Sequence, residues 1–321
     1  MAWLRSLKLT VTGSSGALDL SDLRVKFSIE QDTVQAPNTL ECRIYNPNKE
    51  TAQKIFKGDH VELYAGYEDE GAGLIFKGEV TQPRIGRENP TDTYVDIFAK
   101  DSDSAYNFGV VNITLAKGST PLDHYQTALK AMAPFGVTHG YIPQGLFDTP
   151  KYPRAVSWFY GAKDLLRTLA QSKGCTWSMQ NGQLQMVPEN TPLPGSAFIV
   201  NSKTGMIGMP IETPGGIIVR TLINSRVKVN TLLQINDQDI QRAQLSQLHN
   251  SAQANDQVLR LGTNDGVYKV LYMTRTGDTR GSEWYQDMTC IGAKPGSAPP
   301  DALTQKLTGD PSNAPQTAPG P

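Results

Sequence analysis

Two stretches of this chain read as the same pair of β-strands, and that repetition constrains the fold more than any other feature. The first runs Phe76-Lys77-Gly78-Glu79-Val80, then after a gap Tyr94-Val95-Asp96-Ile97-Phe98-Ala99. The second runs Tyr268-Lys269-Val270-Leu271-Tyr272, then Trp284-Tyr285-Gln286-Asp287-Met288-Thr289-Cys290. Phe76 precedes Tyr268 by 192 residues and Tyr94 precedes Tyr285 by 191. Two hairpins in nearly one register point to a duplicated β module with something different between the copies. Duplication of that kind points to a part of an assembly. Aromatic and lysine residues recur in many strands, so the match needs support from the rest of the chain.

The first hundred residues supply some. Leu7, Leu9 and Val11 alternate with Lys8 and Thr10, and Val25, Phe27 and Ile29 with Lys26, Ser28 and Glu30. The same period of two runs through Leu40, Cys42 and Ile44, through Val61, Leu63 and Ala65, and through Val95, Ile97 and Ala99. Short alternating strands split by Gly, Pro, Asn and Asp predict an antiparallel sandwich or barrel with one buried face.

After about residue 118 the period changes. Thr120-Pro121-Leu122-Asp123 offers an N-cap, a proline at the first helical position and an acid three residues after the cap. Leu122, Tyr125, Ala128, Leu129 and Met132 then line one helical face, and Pro134 and Gly136 end it. A second helix is predicted over about 162–173, with Leu165, Leu166, Leu169 and Ala170 as its apolar stripe and Gly174 as its left-handed stop. Residues 176–180 and 183–187 then flank Asn181-Gly182, a dipeptide suited to a tight hairpin turn.

Pro188, Pro192, Pro194 and Gly195 mark a linker. Strands are predicted beyond it at 217–223, 227–230, 232–235, 268–274 and 284–291. Matching Val61 to Leu233 gives an offset of 172, against 192 for the hairpin, so about twenty residues are inserted in the second copy. The insertion is placed at 236–262. It is rich in Asn, Gln, Asp and Ser, and Ile240, Leu245 and Leu248 are its sparse apolar points and the candidate interface residues. From residue 295 the chain is Gly, Pro, Ala, Ser and Thr with few large apolar residues, too little to offset the entropy of ordering.

The division expected is therefore a first β-barrel at 1–101, an α+β domain at 102–192, a second β-barrel at 193–294 and a tail at 295–321. The fold class is mainly β, with two similar antiparallel β-barrel, tube-like domains around a small α+β middle domain.

Composition narrows the function. Lys plus Arg is 30 and Asp plus Glu is 31, so no basic face for a polyanion is implied. The acidic run Glu68-Asp69-Glu70 before Gly71-Ala72-Gly73 reads as a turn tip rather than an ion site. No stretch has the roughly 18–20 apolar residues of a membrane span. The first six residues lack the regions of a signal peptide, so synthesis in a cytoplasm is expected. Cys42, Cys175 and Cys290 are far apart and odd in number, which favours packed thiols over a disulfide framework.

No phosphate-binding glycine loop, zinc-ligand spacing or nucleophile elbow occurs. His60, His124, His139 and His249 fall in different elements, and His124 reads as a surface or hydrogen-bonded residue. Glu79, Asp96, Asp123 and Asp164 are available to a glycosidase, but nothing pairs them. Asp123 reads better as a cap and Asp164 as a first-turn acid. Tyr268, Tyr272, Trp284 and Tyr285 allow a sugar platform, with core or subunit packing the more ordinary reading. No catalytic residue, cofactor or metal is expected.

Several strings together resemble baseplate hub proteins of tailed phages, the contractile-tailed ones foremost. They include Gly205-Met206-Ile207-Gly208-Met209-Pro210 and 215–224, Tyr268-Lys269-Val270, Thr276-Gly277-Asp278-Thr279-Arg280-Gly281 and Trp284-Tyr285. Pro37 to Asn46, Gly58-Asp59-His60-Val61 and Ile75-Phe76-Lys77-Gly78 are similar to the first tube-like domain of those hubs, and 162–187 resembles their middle segment. Each motif is loose, their order is specific, and the match covers about residues 5–293. The resemblance implies a homotrimer whose six barrels make a pseudo-sixfold ring in the virion tail baseplate. That ring adapts the sixfold tail tube to a threefold spike and leaves a channel for genome DNA in transit. It implies as partners the spike protein, a tail tube or tube-initiator protein, and tape-measure and wedge proteins. The chain lacks the fused lysozyme and spike β-helix of some hubs, so hydrolysis would belong to another chain. A tail-associated cell-wall-degrading enzyme and a host-glycan binding module remain alternatives.

Removing 236–262 should leave the monomer folded, because loop length costs little thermodynamically. It should weaken assembly, since Ile240, Leu245 and Leu248 would each contribute roughly 1.5–3 kcal/mol if buried against a partner. Circular dichroism and light scattering on the deletion variant check both halves; an unfolded monomer, or assembly unchanged, would contradict the assignment.

Overall fold

The computed structural model describes residues 4–293 apart from 15, 70, 149, 190, 214–215, 236–240 and 243–265. The chain is mainly β, with a small α+β segment between two β modules. Seven strands build the first module: β1 (Arg5–Gly13), β2 (Gly16–Asp19), β3 (Val25–Asp32), β4 (Thr39–Tyr45), β5 (Gly58–Tyr67), β6 (Gly73–Arg87) and β7 (Thr93–Lys100). They pair in the order β2-β1-β5-β6-β7-β4-β3, every neighbour antiparallel. The alternation places Val25, Phe27 and Ile29 of β3 and Leu40, Cys42 and Ile44 of β4 in one core, with Lys26, Glu30 and Glu41 outside. A slip of one residue would expose every one of those apolar groups, so the pattern fixes the register. Helix α1 (Lys49–Phe56), which the period-two reading passed over, crosses between β4 and β5. Asn48 caps it by accepting from the Thr51 amide at 2.7 Å, and Ile55 anchors it in the core.

The middle segment contains α2 (Asp103–Phe108), β8 (Val110–Leu115), α3 (Pro121–Met132), β9 (Thr138–His139), β10 (Val156–Gly161), α4 (Ala162–Ser172), β11 (Cys175–Gln180) and β12 (Gln183–Pro188). A full capping box starts α3: Thr120 accepts from the Asp123 amide while Asp123 accepts from the Thr120 amide. Tyr125, Ala128 and Met132 are buried as their spacing requires, but Leu122 is exposed, because the packed face runs through Pro121, His124, Tyr125, Ala128 and Met132 and Leu122 lies to one side of it with Gln126. Leu165, Leu166, Leu169 and Ala170 of α4 are buried, and Gly174 takes a φ of 59° beyond its end. The β11–β12 hairpin turns through Asn181 and Gly182 at φ of 55° and 79°.

The second module holds β13 (Phe198–Val200), β14 (Ile211–Thr213), β15 (Gly216–Leu222), β16 (Leu232–Ile235), β17 (Gln241–Arg242), β18 (Val267–Asp278) and β19 (Trp284–Gly292). Residues 227–230 form turns instead of the expected strand, ending at Asn230 in the left-handed region with φ of 68°. Five strands, β14-β15-β19-β18-β16, repeat the antiparallel order β3-β4-β7-β6-β5. The copies differ at the next strand, since β1 is antiparallel to β5 and β13 is parallel to β16.

Both long hairpins carry a bulge at one matching place. Val80 faces Ala99 and Gln82 faces Phe98, skipping Thr81; Val270 faces Cys290 and Tyr272 faces Thr289, skipping Leu271. The bulges set the true offset of β6 to β18 at 190, so Gly78, not Phe76, matches Tyr268. Alternation could not reveal a slide of two residues, because it leaves every side chain on its own face. Val61 still matches Leu233 at 172, since they face Gly78 and Tyr268, and the insertion becomes 18 residues.

The two modules were expected as separate barrels. Their pairing instead runs on as one 14-stranded sheet, and among the described residues no strand closes either module on itself. The join is β18: Leu232 of β16 faces Lys269, while Tyr272 to Asp278 pair antiparallel with Asp32 to Lys26 of β3. The core follows the join. Trp284 and Ile223 from the second module belong to the first module's hydrophobic cluster, and Trp284 meets Phe27 edge-on at 5.7 Å. Gly277 makes room for that pair, for a Cβ there would lie 2.5 Å from the Phe27 ring.

Trp284→Ala should therefore cost about 3–5 kcal/mol, as for other buried aromatics. It should lower the unfolding of both modules together. Chemical denaturation followed by far-ultraviolet circular dichroism and tyrosine fluorescence checks this; two separate transitions would contradict a shared core.

Candidate functional site

The face of the joined sheet turned away from the core carries one polar constellation twice. In the first module Arg43 of β4 donates from Nε and Nη2 to Asp96 of β7 at 2.7 and 3.0 Å, and its guanidinium lies 3.8 Å from the ring centre of Tyr94. In the second, Arg220 of β15 donates from Nε and Nη2 to Asp287 of β19 at 2.7 and 2.9 Å, and lies 4.2 Å from the centre of Tyr285. Arg43 faces Asp96 and Arg220 faces Asp287 across equivalent ladders. The forked donor geometry of arginine fits the carboxylate on both nitrogens while the tyrosine face takes the cation. The hydrogen-bonded carboxylate raises each guanidinium above its ordinary pKa. Both pairs are partly exposed, so each contributes only about 0.2–1 kcal/mol to the isolated chain. Their value lies in a matched polar surface that both modules present along one sheet.

A second set of contacts locks the middle segment to the modules. The β11–β12 turn enters the first module: Asp101 accepts from the Asn181 and Gly182 amides, and the Lys77 amide donates to Asn181 Oδ1. Asn38 donates to Met179 O and Gln180 Oε1, and Gln180 donates to Asp32 O. Burial lifts the Asp101 carboxyl to about 6 against the pull of those donors. On the other side, Lys269 donates its ammonium to Pro188 O and Glu189 O, and burial brings it down to about 8. Gly73 closes the first module onto the second, because a Cβ there would lie 2.3 Å from Ser225 Oγ.

The architecture has counterparts among solved structures. The 43 kDa tail protein of prophage MuSo2 from Shewanella oneidensis matches with a TM-score of 0.57 and 10% identity, over 90% of this chain and 98% of that one. The tail protein from Neisseria meningitidis MC58 matches at 0.53 and 9% identity, over 90% and 97%. The fold is that of phage tail proteins. The Francisella PdpA-VgrG complex matches at 0.50 and 6% identity, over 91% of this chain and 59% of that one. No family model matches the chain, and no curated protein matches it by sequence.

Within this tail-protein fold the residues singled out in the sequence are distributed as follows. Ile240, Leu245 and Leu248 lie outside the described residues; the nearby pair Gln241 and Arg242 forms β17, parallel to β14 at the sheet's end. Glu79 accepts from the amide and hydroxyl of Ser104, Asp96 holds Arg43, Asp123 caps α3 and Asp164 holds Arg167. His124 is a core residue, accepting from Trp158 Nε1 at 2.8 Å and meeting Ser119 Oγ at 3.1 Å, and burial lowers its pKa. Tyr268 and Trp284 are core residues, whereas Tyr272 and Tyr285 lie on the outer face. Cys42, Cys175 and Cys290 are buried free thiols. Among the described residues no three His, Cys, Asp or Glu gather as a metal site. The Arg–Asp–Tyr sets were missed because their members use two offsets, 177 on β4 and 191 on β7; aligning strands separately would have found them.

Asp101 gives the joint a pH dependence. Its folded pKa of about 6 exceeds the ordinary 3.8, so the unfolded chain loses this proton first and stability falls as pH rises from about 4 to about 6. The shift corresponds to roughly 3 kcal/mol at most. Carboxyl-carbon NMR titration should show Asp101 near pH 6, and Asp101→Asn should remove this part of the stability profile; a midpoint near 4 would contradict the desolvated joint.

Proposed function

We propose that the chain is a structural subunit of a phage tail baseplate hub, three copies forming a ring of six β modules. The observation that carries this reading is the β18–β3 ladder, which joins two equivalent modules edge to edge within one chain. Among the described residues, the matching edges of β6 and β14 lack that partner. Gln82 to Arg87 of β6 pair, among the described residues, only with β7, since β5 pairing ends at Glu79. The edge of β14 that matches the joined edge of β3 carries, among the described residues, only the two-residue β17. Ile85, 61% exposed, occupies the position that the fully joined module gives to Arg275, 2% exposed. An exposed, unpaired strand edge is a ready pairing surface. Repeating the internal ladder from β6 of one chain to the β14–β17 edge of the next gives a heterologous, head-to-tail contact, which propagates until it closes.

Closure at three chains comes from the resemblance to hub proteins, and with it the pseudo-sixfold ring adapting tube to spike, the channel for DNA and the baseplate location. The partners in this reading are further copies of the chain, the spike, the tube or its initiator, and the tape-measure and wedge proteins. The division at 1–101, 102–192, 193–294 and 295–321 belongs to the same reading, with the insertion at 236–262 contributing contacts between copies or with a neighbouring tail protein. The role is structural and gives the chain no catalytic step.

Ile85→Asp tests the edge directly. The residue is exposed, so the monomer's stability should change by no more than about 0.5 kcal/mol. Light scattering should give a trimer for the parent chain and a monomer for the variant. A parent chain that stays monomeric at high concentration, or a variant that still forms trimers, would count against the reading.

A further inference from the structure

A cavity of about 160 Å³ lies where the first module, the middle segment and the second module meet. Its wall includes Gln31 of β3, Gln185 of β12, Ser225 and Lys228 from the turns before β16, and Arg275 of β18. Among the described residues no carboxylate lines it. Arg275 is buried, and its hydrogen bonds all go to neutral oxygens: Nε to Gln286 Oε1, Nη1 to Gln31 Oε1 and Nη2 to Val227 O. A guanidinium has five N–H donors, so two remain without a partner among the described residues. Burial alone lowers its pKa to about 10, which leaves it charged at neutral pH. A buried, charged group without a counter-charge is costly, and the cost is relieved by an anion at hydrogen-bond distance.

Two further groups fit an anion. Gln185 is 8% exposed and its Oε1 has no hydrogen-bond partner. The oxygen and nitrogen of a side-chain amide exchange places by a half-turn, so Gln185 can present donors where it now presents that unpartnered oxygen. Lys228 adds an exposed ammonium at the rim, and Ser225 a hydroxyl. Among the described residues the wall thus holds two cations, neutral donors and no acid.

We propose that this cavity binds a small oxyanion of the phosphate class, which supplies the missing counter-charge to Arg275 and ties the three parts of the chain together. The site is independent of how copies of the chain assemble. A divalent cation is disfavoured by the same wall, since every charged group on it among the described residues is positive.

The test is thermal unfolding of the full chain in increasing phosphate, with chloride exchanged to hold ionic strength constant, and ³¹P NMR line broadening on the same samples. The melting temperature should rise saturably with phosphate. Lys228→Gln, an exposed change that leaves the core alone, should weaken the apparent affinity roughly tenfold by removing one charged donor. Gln185→Glu should place a fixed carboxylate in the cavity and abolish the response. If Gln185→Glu does not fold, Lys228→Gln decides alone. Equal melting temperatures in phosphate and chloride, or a phosphate response unchanged in Lys228→Gln, would overturn the site.

Discussion

The antiparallel ladder between β18 and β3 is the interaction on which the rest of the structure depends. β18 is twelve residues long and does two jobs. Its first residues pair with β16 and complete its own module, while its last seven add to the edge of β3. That addition carries Trp284 into the first module's core, turns Arg275 inward at the junction, and aligns the two Arg–Asp–Tyr sets on one sheet face. A shift of this ladder by one residue would expose Met273 and Arg275 and bury Thr274 and Thr276 in their place. The middle segment then needs only its hairpin turn, held by Asp101 and Asn38, to be fixed against the joined modules.

Comparison of the two copies shows which positions tolerate exchange. In the cores, Leu40 matches Ile217, Cys42 matches Val219, Ile97 matches Met288 and Ala99 matches Cys290. Apolar cores accept such swaps when volume and patterning are kept overall. The outer Arg, Asp and Tyr are identical in both copies, as a bidentate pair over a ring has no conservative substitute. The sharpest divergence is at the junction. Ile85 facing Val95 in the first module becomes Arg275 facing Gln286 in the second. Among the described residues the apolar pair sits at an unpaired edge and the polar pair at the join between modules.

Much of this was legible in the sequence because burial on one face imposes a period, and the period survives in long strands. The alternation in β3, β4, β5 and β7, the capping box at Thr120, the Asn181-Gly182 turn and the buried thiols followed from local chemistry. The duplication itself was also visible. What escaped had no local signature. β13 and β14 are three residues each, too short to show a period. The bulges at Thr81 and Leu271 moved the match by two residues without changing faces. Val227 and Val229 are buried like strand residues, yet they sit in turns. The β18–β3 join could not be read at all, because pairing partners about 240 residues apart leave no mark on either strand's own pattern. The site residues fared likewise: Ile240, Leu245 and Leu248 came from an insertion, whereas the repeated triads needed strand-by-strand alignment.

The central claim is that the chain's internal module-to-module ladder is repeated between copies to close a ring. Electron cryomicroscopy of the purified chain, reconstructed without imposed symmetry, tests it most directly. The account predicts a threefold ring of six similar modules, with β6 of each chain paired to the β14–β17 edge of the next. A twofold dimer, a ring in which those edges face solvent, or single chains throughout would contradict it.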